Sequence, residues 1–162
     1  MNKNHEKFRS RNQAGFTLVE LIITLTIAAI LVTVAVPSFQ DVIQNNRVTT
    51  QANEFLTALS IARSEALKRG RNVTMTADTA GSWENGWTIT DNAGNALFVN
   101  NGFEGGSEIT STADTLTYNS RGFLSTGTLI TFTLSNSDAA TGRIISVSPN
   151  GSSKIEVTHP SS

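Results

Sequence analysis

One run, Phe16–Val36 (FTLVELIITLTIAAILVTVAV), constrains this chain more than any other feature. Only Thr17, Glu20, Thr24, Thr26 and Thr33 among its 21 residues are not apolar. About 20 such residues cross a bilayer core as a helix. A helix that is apolar on every side must be covered by lipid or by other protein. Glu20 breaks the pattern. A carboxylate in hydrocarbon costs on the order of a few kcal/mol or more and is rarely found there without a partner. Something has to stand opposite it.

The charges on either side of the run differ. Lys3, Lys7, Arg9 and Arg11 precede it against Glu6 alone, which predicts a cytoplasmic N-terminus and an external C-terminal part. A secretory signal fits poorly, because the apolar run is long and contains a carboxylate. A plain single-pass anchor is the simpler alternative. From residue 72 onward only Arg121, Arg143 and Lys154 face eight carboxylates, a net −5. Such an acidic head is a poor match for a phosphate backbone. The chain contains no cysteine, so neither a disulfide framework nor a thiolate metal site is available.

Pro37 lacks a backbone donor and predicts a kink. Beyond it, Ala52, Phe55, Leu56, Leu59, Ala62 and Ala66 recur at spacings of three and four, the mark of a helix with one buried stripe. Glu65 and Arg69 stand four apart in the favourable order. Lys68 and Arg69 suit the negative end of a helix, and Gly70 suits its C′ position. The reading is one helix over Phe16–Arg69, with an apolar half (16–36) and an amphipathic half (37–69).

After Gly70 the period changes to two. Val73, Met75 and Ala77, then Trp87 and Ile89, then Ile130, Phe132 and Leu134 alternate with polar residues, as do Ile145 and Val147 and then Ile155 and Val157. Asn150-Gly151 signals a hairpin turn, and Asp91–Asn95 (DNAGN) signals another. Residues 100–114 and 135–142, rich in Gly, Ser, Asn, Asp and Thr, read as loops. The expected fold is α+β: a long N-terminal helix, its second half packed through residues 52–67 on a mostly antiparallel head formed by residues 70–162.

Gly15-Phe16-Thr17-Leu18-Val19-Glu20 behind a short basic leader resembles the processing motif of type IV pilins and type II secretion pseudopilins. The order of "ARSEALKRGRNVTM", "GWTITDN", "NSRGF", "TFTLS" and "GRIISVSPNG" resembles the GspH/FimT family of minor pilins and pseudopilins. The resemblance implies a leader over 1–15 that a prepilin peptidase removes after Gly15, and methylation of the new N-terminal amine at Phe16. It also implies that Glu20 is the assembly glutamate. An α-amino group has a pKa of roughly 8, so Phe16 of a neighbouring subunit would offer the cation that Glu20 needs. Further implications are partners among other minor pilins, pseudopilins and a major subunit, and residence in the inner membrane before assembly.

Catalytic chemistry is not expected. His5 and His159 lie near the two ends, and no nucleophile–base–orienter set can be composed from the rest. No cofactor is implied. Asp91–Asn95 is oxygen-rich, but it lacks the distal bidentate glutamate of a calcium loop, so a turn is the reading and no metal is expected. Trp83 and Trp87 suit a core better than an exposed binding patch. Some FimT relatives bind DNA through arginines near the C-terminus, where this chain has Gly151-Ser-Ser-Lys154-Ile-Glu156. A weak DNA contact would fall to Lys68, Arg69, Arg71 and Lys154, although helix-end complementation is the better explanation of the first three. The expectation is a structural subunit that initiates or caps a filament. The alternatives are a DNA-binding minor pilin for natural transformation and a major filament subunit.

Overall fold

The computed structural model describes residues 15–158, without the side chains of Val34, Pro37 and Ser38. Of the expected leader it includes Gly15 alone, and the kink expected at Pro37 concerns a side chain outside the description. The chain divides into two units, Met1–Ser38 and Phe39–Ser162. A single helix, α1, is assigned over Leu18–Arg69. It starts two residues later than the apolar run suggests, because Thr17 caps it. The Thr17 hydroxyl accepts the Glu20 amide proton at 3.2 Å, and the Thr17 carbonyl accepts that of Leu21 at 3.1 Å. Satisfying those first amides favours a helix beginning after Thr17.

The second unit holds the rest of α1 and eight strands. These are β1 (Val73–Thr79), β2 (Ser82–Asp91), β3 (Ala96–Asn100), β4 (Ser107–Ser111), β5 (Thr115–Tyr118), β6 (Ile130–Asn136), β7 (Gly142–Val147) and β8 (Ser153–Thr158). They form two antiparallel four-stranded sheets, ordered β3-β2-β1-β5 and β4-β6-β7-β8. The alternation read in the sequence is borne out in the core. Val73, Met75 and Ala77 are buried from β1, Trp87 and Ile89 from β2, Ile130, Phe132 and Leu134 from β6, and Ile145 and Val147 from β7. Two strands depart from expectation. Residues 100–114 are not all loop, since β4 lies within them and buries Ser107 and Ile109. In β8, an outer strand, Ile155 is only half-buried and Val157 is exposed.

The helix contributes Val48, Ala52, Phe55, Ala58, Leu59, Ala62 and Ala66 to this core. Small residues at 52, 58, 62 and 66 let the backbone approach the sheets, and Phe55 fills the space between them. Its ring meets Trp83 (5.6 Å between centroids), Trp87 (5.1 Å) and Phe132 (4.8 Å), all edge-on. The two tryptophans come from β2 in the first sheet and Phe132 from β6 in the second. Both tryptophans are fully buried, and the Trp83 indole donates to the Ala113 carbonyl at 2.9 Å. They belong to the core and form no exposed patch.

Polar side chains of the helix fasten the loops around that core. Gln51 donates to the Glu104 carbonyl and accepts from Ser107 Oγ at 2.6 Å, while Asn136 donates to the Gly105 carbonyl and to Ser107. Gln51, Ser107 and Asn136 are all buried, and each finds a partner, as buried polar groups generally must. Asn45 accepts from both the amide and the hydroxyl of Thr141, and Arg143 donates to Thr49 Oγ1 at 2.7 Å. Replacing Phe55 by Ala should cost about 3–5 kcal/mol, as for other buried aromatics. Urea denaturation of the purified protein, followed by tryptophan fluorescence, checks this. A loss below about 1 kcal/mol would mean that Phe55 is not the junction.

Candidate functional site

The first candidate region is the start of α1. Phe16 is 82% exposed, and Leu18, Val19, Leu21, Ile22, Ile23 and Leu25 are all more than half exposed. The exposed apolar side chains continue through Ile27, Ile30, Leu31, Val32 and Val36. The hydroxyls of Thr24, Thr26 and Thr33 are spent on helix carbonyls three or four residues back, at 2.7–2.8 Å. The threonines therefore add little polarity to the surface, and it is apolar all round. Among the described residues no helix is long and apolar enough to cross a membrane.

Glu20 lies in the first turn, where the helix dipole favours a negative charge. Thr17 and Glu20 have the spacing of a capping box, and the threonine half of it is made. Thr17 is a residue that the sequence analysis passed over. The T-x-x-E spacing would have found it. The cap accounts for the position of the Glu20 backbone, but its carboxylate forms no ion pair among the described residues. Gly15 and Phe16 precede the helix.

The second candidate is the basic cluster at the helix end. Arg69 Nε donates to Glu65 at 2.6 Å, Lys68 reaches the same carboxylate at 3.4 Å, and Arg69 also faces Asp91 at 3.9 Å. Arg69 is the main reason that the Glu65 carboxyl is held below the usual carboxylate range. Gly70, with φ of 63°, takes the left-handed C′ conformation, and the Arg71 amide returns to the Ala66 carbonyl, closing a Schellman motif. Lys154 lies in β8 of the other sheet and pairs with Glu156. Three of the four basic residues thus already have carboxylate partners, which leaves little free positive charge for a phosphate backbone. The Asp91–Asn95 turn spends its carboxylate internally. Asp91 accepts from the Ala93 and Asn95 amides and from the Asn95 side chain. The bonds from Asn95, side chain first, lower the Asp91 pKa.

The profile described as "Type II transport protein GspH" matches residues 51–151. The chain belongs to the GspH family. The profile described as "Prokaryotic N-terminal methylation motif" matches residues 10–36, and together they mark a type IV pilin-like protein. The fold agrees with that of the crystallised type IV minor pilin FimU of Pseudomonas aeruginosa, at a TM-score of 0.62 and 26% identity, over 68% of this chain and 89% of FimU. A fimbrial protein of Pseudomonas aeruginosa is 37% identical over 65 residues, 40% of this chain and 42% of the relative. The type IV major alpha-pilin of Moraxella bovis is 37% identical over 73 residues, 45% of each chain. The matches thus span less than half the length of these curated relatives.

The lowered Asp91 pKa has a consequence for stability. A carboxylate whose pKa is depressed on folding adds stability above its unfolded value of about 3.9, and that stability is lost as pH falls through the lower folded value. Asp91→Asn should therefore lower the urea midpoint at pH 7, and the gap to wild type should narrow as pH falls below about 3.9. A gap that is unchanged at pH 2 would show that the Asp91 charge contributes nothing to the turn.

Proposed function

We propose that the chain is a minor pilin or pseudopilin, a structural subunit that helps initiate or cap a type IV pilus or a type II secretion pseudopilus. The observation that carries this reading is the order of two features on one chain, a methylation motif over 10–36 and then a GspH head over 51–151. In this reading a prepilin peptidase cuts after Gly15 and the amine of Phe16 is methylated. The subunit first sits in the inner membrane, with its N-terminus cytoplasmic and its head outside, and then passes into the filament.

The physical chemistry of the N-terminal part supports that route. The described apolar side chains of the helix from Leu18 to Val32, and that of Val36, are exposed. Lipid covers them first, and like helices of other subunits cover them later, so little of that surface need meet water. Glu20 has no cation of its own along the run. The α-amino group of a neighbour's first residue is a partner of the right sign, and in an apolar filament core the pairing would fix the axial register. A buried charge left without its partner costs about 3–5 kcal/mol, enough to reject subunits set at the wrong height. Pro37, which lacks a backbone donor, is a place for the helix to bend between its two halves. The DNA-binding and major-subunit alternatives are not favoured. Lys68, Arg69 and Lys154 already have carboxylate partners, and the family match is to GspH.

Glu20→Leu should be cleaved normally yet appear in sheared filaments at a tenth or less of the wild-type amount, measured by immunoblot against the membrane pool. Incorporation equal to wild type would sink the charge-pairing account while leaving family membership untouched.

A further inference from the structure

A groove of about 400 Å³ runs along the head between the helix and the turn that joins β7 to β8. One wall carries Leu56, Arg63, Ser64 and Leu67 of α1, and the other Gly151, Ser152 and Ser153. Arg63 is held rigidly there. Its Nε donates to the Gly122 carbonyl at 3.0 Å and its Nη2 to the Asn150 carbonyl at 3.1 Å. Gly151, with φ of 78°, turns the chain so closely over this point that a Cβ would collide with the Gly122 carbonyl and press on Arg63.

Both partners of Arg63 are neutral. Among the described residues it has no carboxylate partner, unlike Lys68, Arg69 and Lys154. An arginine has five N–H donors, and the two bonds leave three unspent. The Nη1 side of the fork is thus set in place with no anion on it. A positioned guanidinium of this kind suits a carboxylate, which it can bind with two parallel hydrogen bonds. The fully buried Tyr118 hydroxyl has no hydrogen-bond partner among the described residues. Burial pushes the Tyr118 pKa up, against smaller opposing effects of Ser153 and Arg63. The Ser60 and Ser64 hydroxyls donate to helix carbonyls, whereas Arg63 keeps donors to spare.

We infer that this groove receives an acidic side chain, flanked by an apolar one, from the head of a neighbouring pilin-like subunit. The inference rests on the filament reading above. The occupant follows from what lines the groove: a fixed cation beside Leu56 and the exposed Leu67. A phosphodiester backbone offers nothing apolar to cover the leucines. A carboxylate-bearing loop satisfies both walls, and a volume of this order holds a few side chains.

The absence of cysteine from the chain allows a clean test in the full-length protein. Ser64→Cys places one thiol in the groove and loses only a bond to its own helix. Maleimide labelling of that thiol should be at least fivefold lower in sheared filaments than in the membrane pool of the same cells. Arg63→Gln and Arg63→Glu, each combined with Ser64→Cys, separate structure from charge, because both lose the carbonyl bonds and only the second repels a carboxylate. Protection should fall several-fold further with Glu than with Gln. Equal labelling in the two pools, or equal effects of Gln and Glu, would overturn the groove proposal and leave the filament reading standing. Protection that disappears on nuclease treatment would assign the groove to nucleic acid and would also overturn it. Absence of the processed chain from filaments would overturn both.

Discussion

The head depends on the aromatic junction at Phe55. This one helical residue touches Trp83 and Trp87 of the first sheet and Phe132 of the second, and Trp83 packs edge-on against Phe132 as well. A helix alone buries one stripe, and each sheet alone buries one face. Phe55 is where those surfaces become a single core. The rest of the stripe is small enough to allow the approach, and the polar bonds from Asn45, Gln51 and Arg63 to the loops hold it in register. The same helix that supplies the junction also carries Arg63 and Leu67, so the groove is built on the most firmly anchored element of the head.

The start of α1 has the opposite character. Nothing among the described residues covers its apolar side chains, and no cation among them answers Glu20. A surface of that kind is incomplete by construction. In the proposed assembly it is completed twice, by lipid and then by other helices. In the head, by contrast, Lys68, Arg69 and Lys154 are paired with carboxylates, while Arg63 is fixed by two neutral carbonyls. In the inference drawn above, recognition between heads uses Arg63, a cation whose position two carbonyls fix.

Much of this was legible in the sequence because the signals were periodic. The stripe from Ala52 to Ala66 and the alternations in β1, β2, β6 and β7 each repeat often enough to show their period. Gly70 and Asn150-Gly151 declare themselves through the left-handed conformations they permit. The parts that were not legible have physical causes. β4 (SEITS) has a single large apolar residue, Ile109, and its buried Ser107 is stabilised by Gln51, which lies 56 positions away. No local pattern records that. The division into two sheets likewise depends on pairings between distant strands. Thr17 was missed although T-x-x-E was present, because the apolar run drew the helix start two residues forward. The groove at Arg63 draws together residues from the helix, from Gly122 and from Asn150, and only the fold unites them.

The measurement that bears most directly on the central claim is the intact mass of the protein recovered from membranes of cells that contain a prepilin peptidase. The account predicts the mass of Phe16–Ser162 carrying one added methyl group. A mass that retains the residues before Phe16 under the same conditions would contradict it, and the chain would then be a membrane-anchored member of its family that does not mature as a filament subunit.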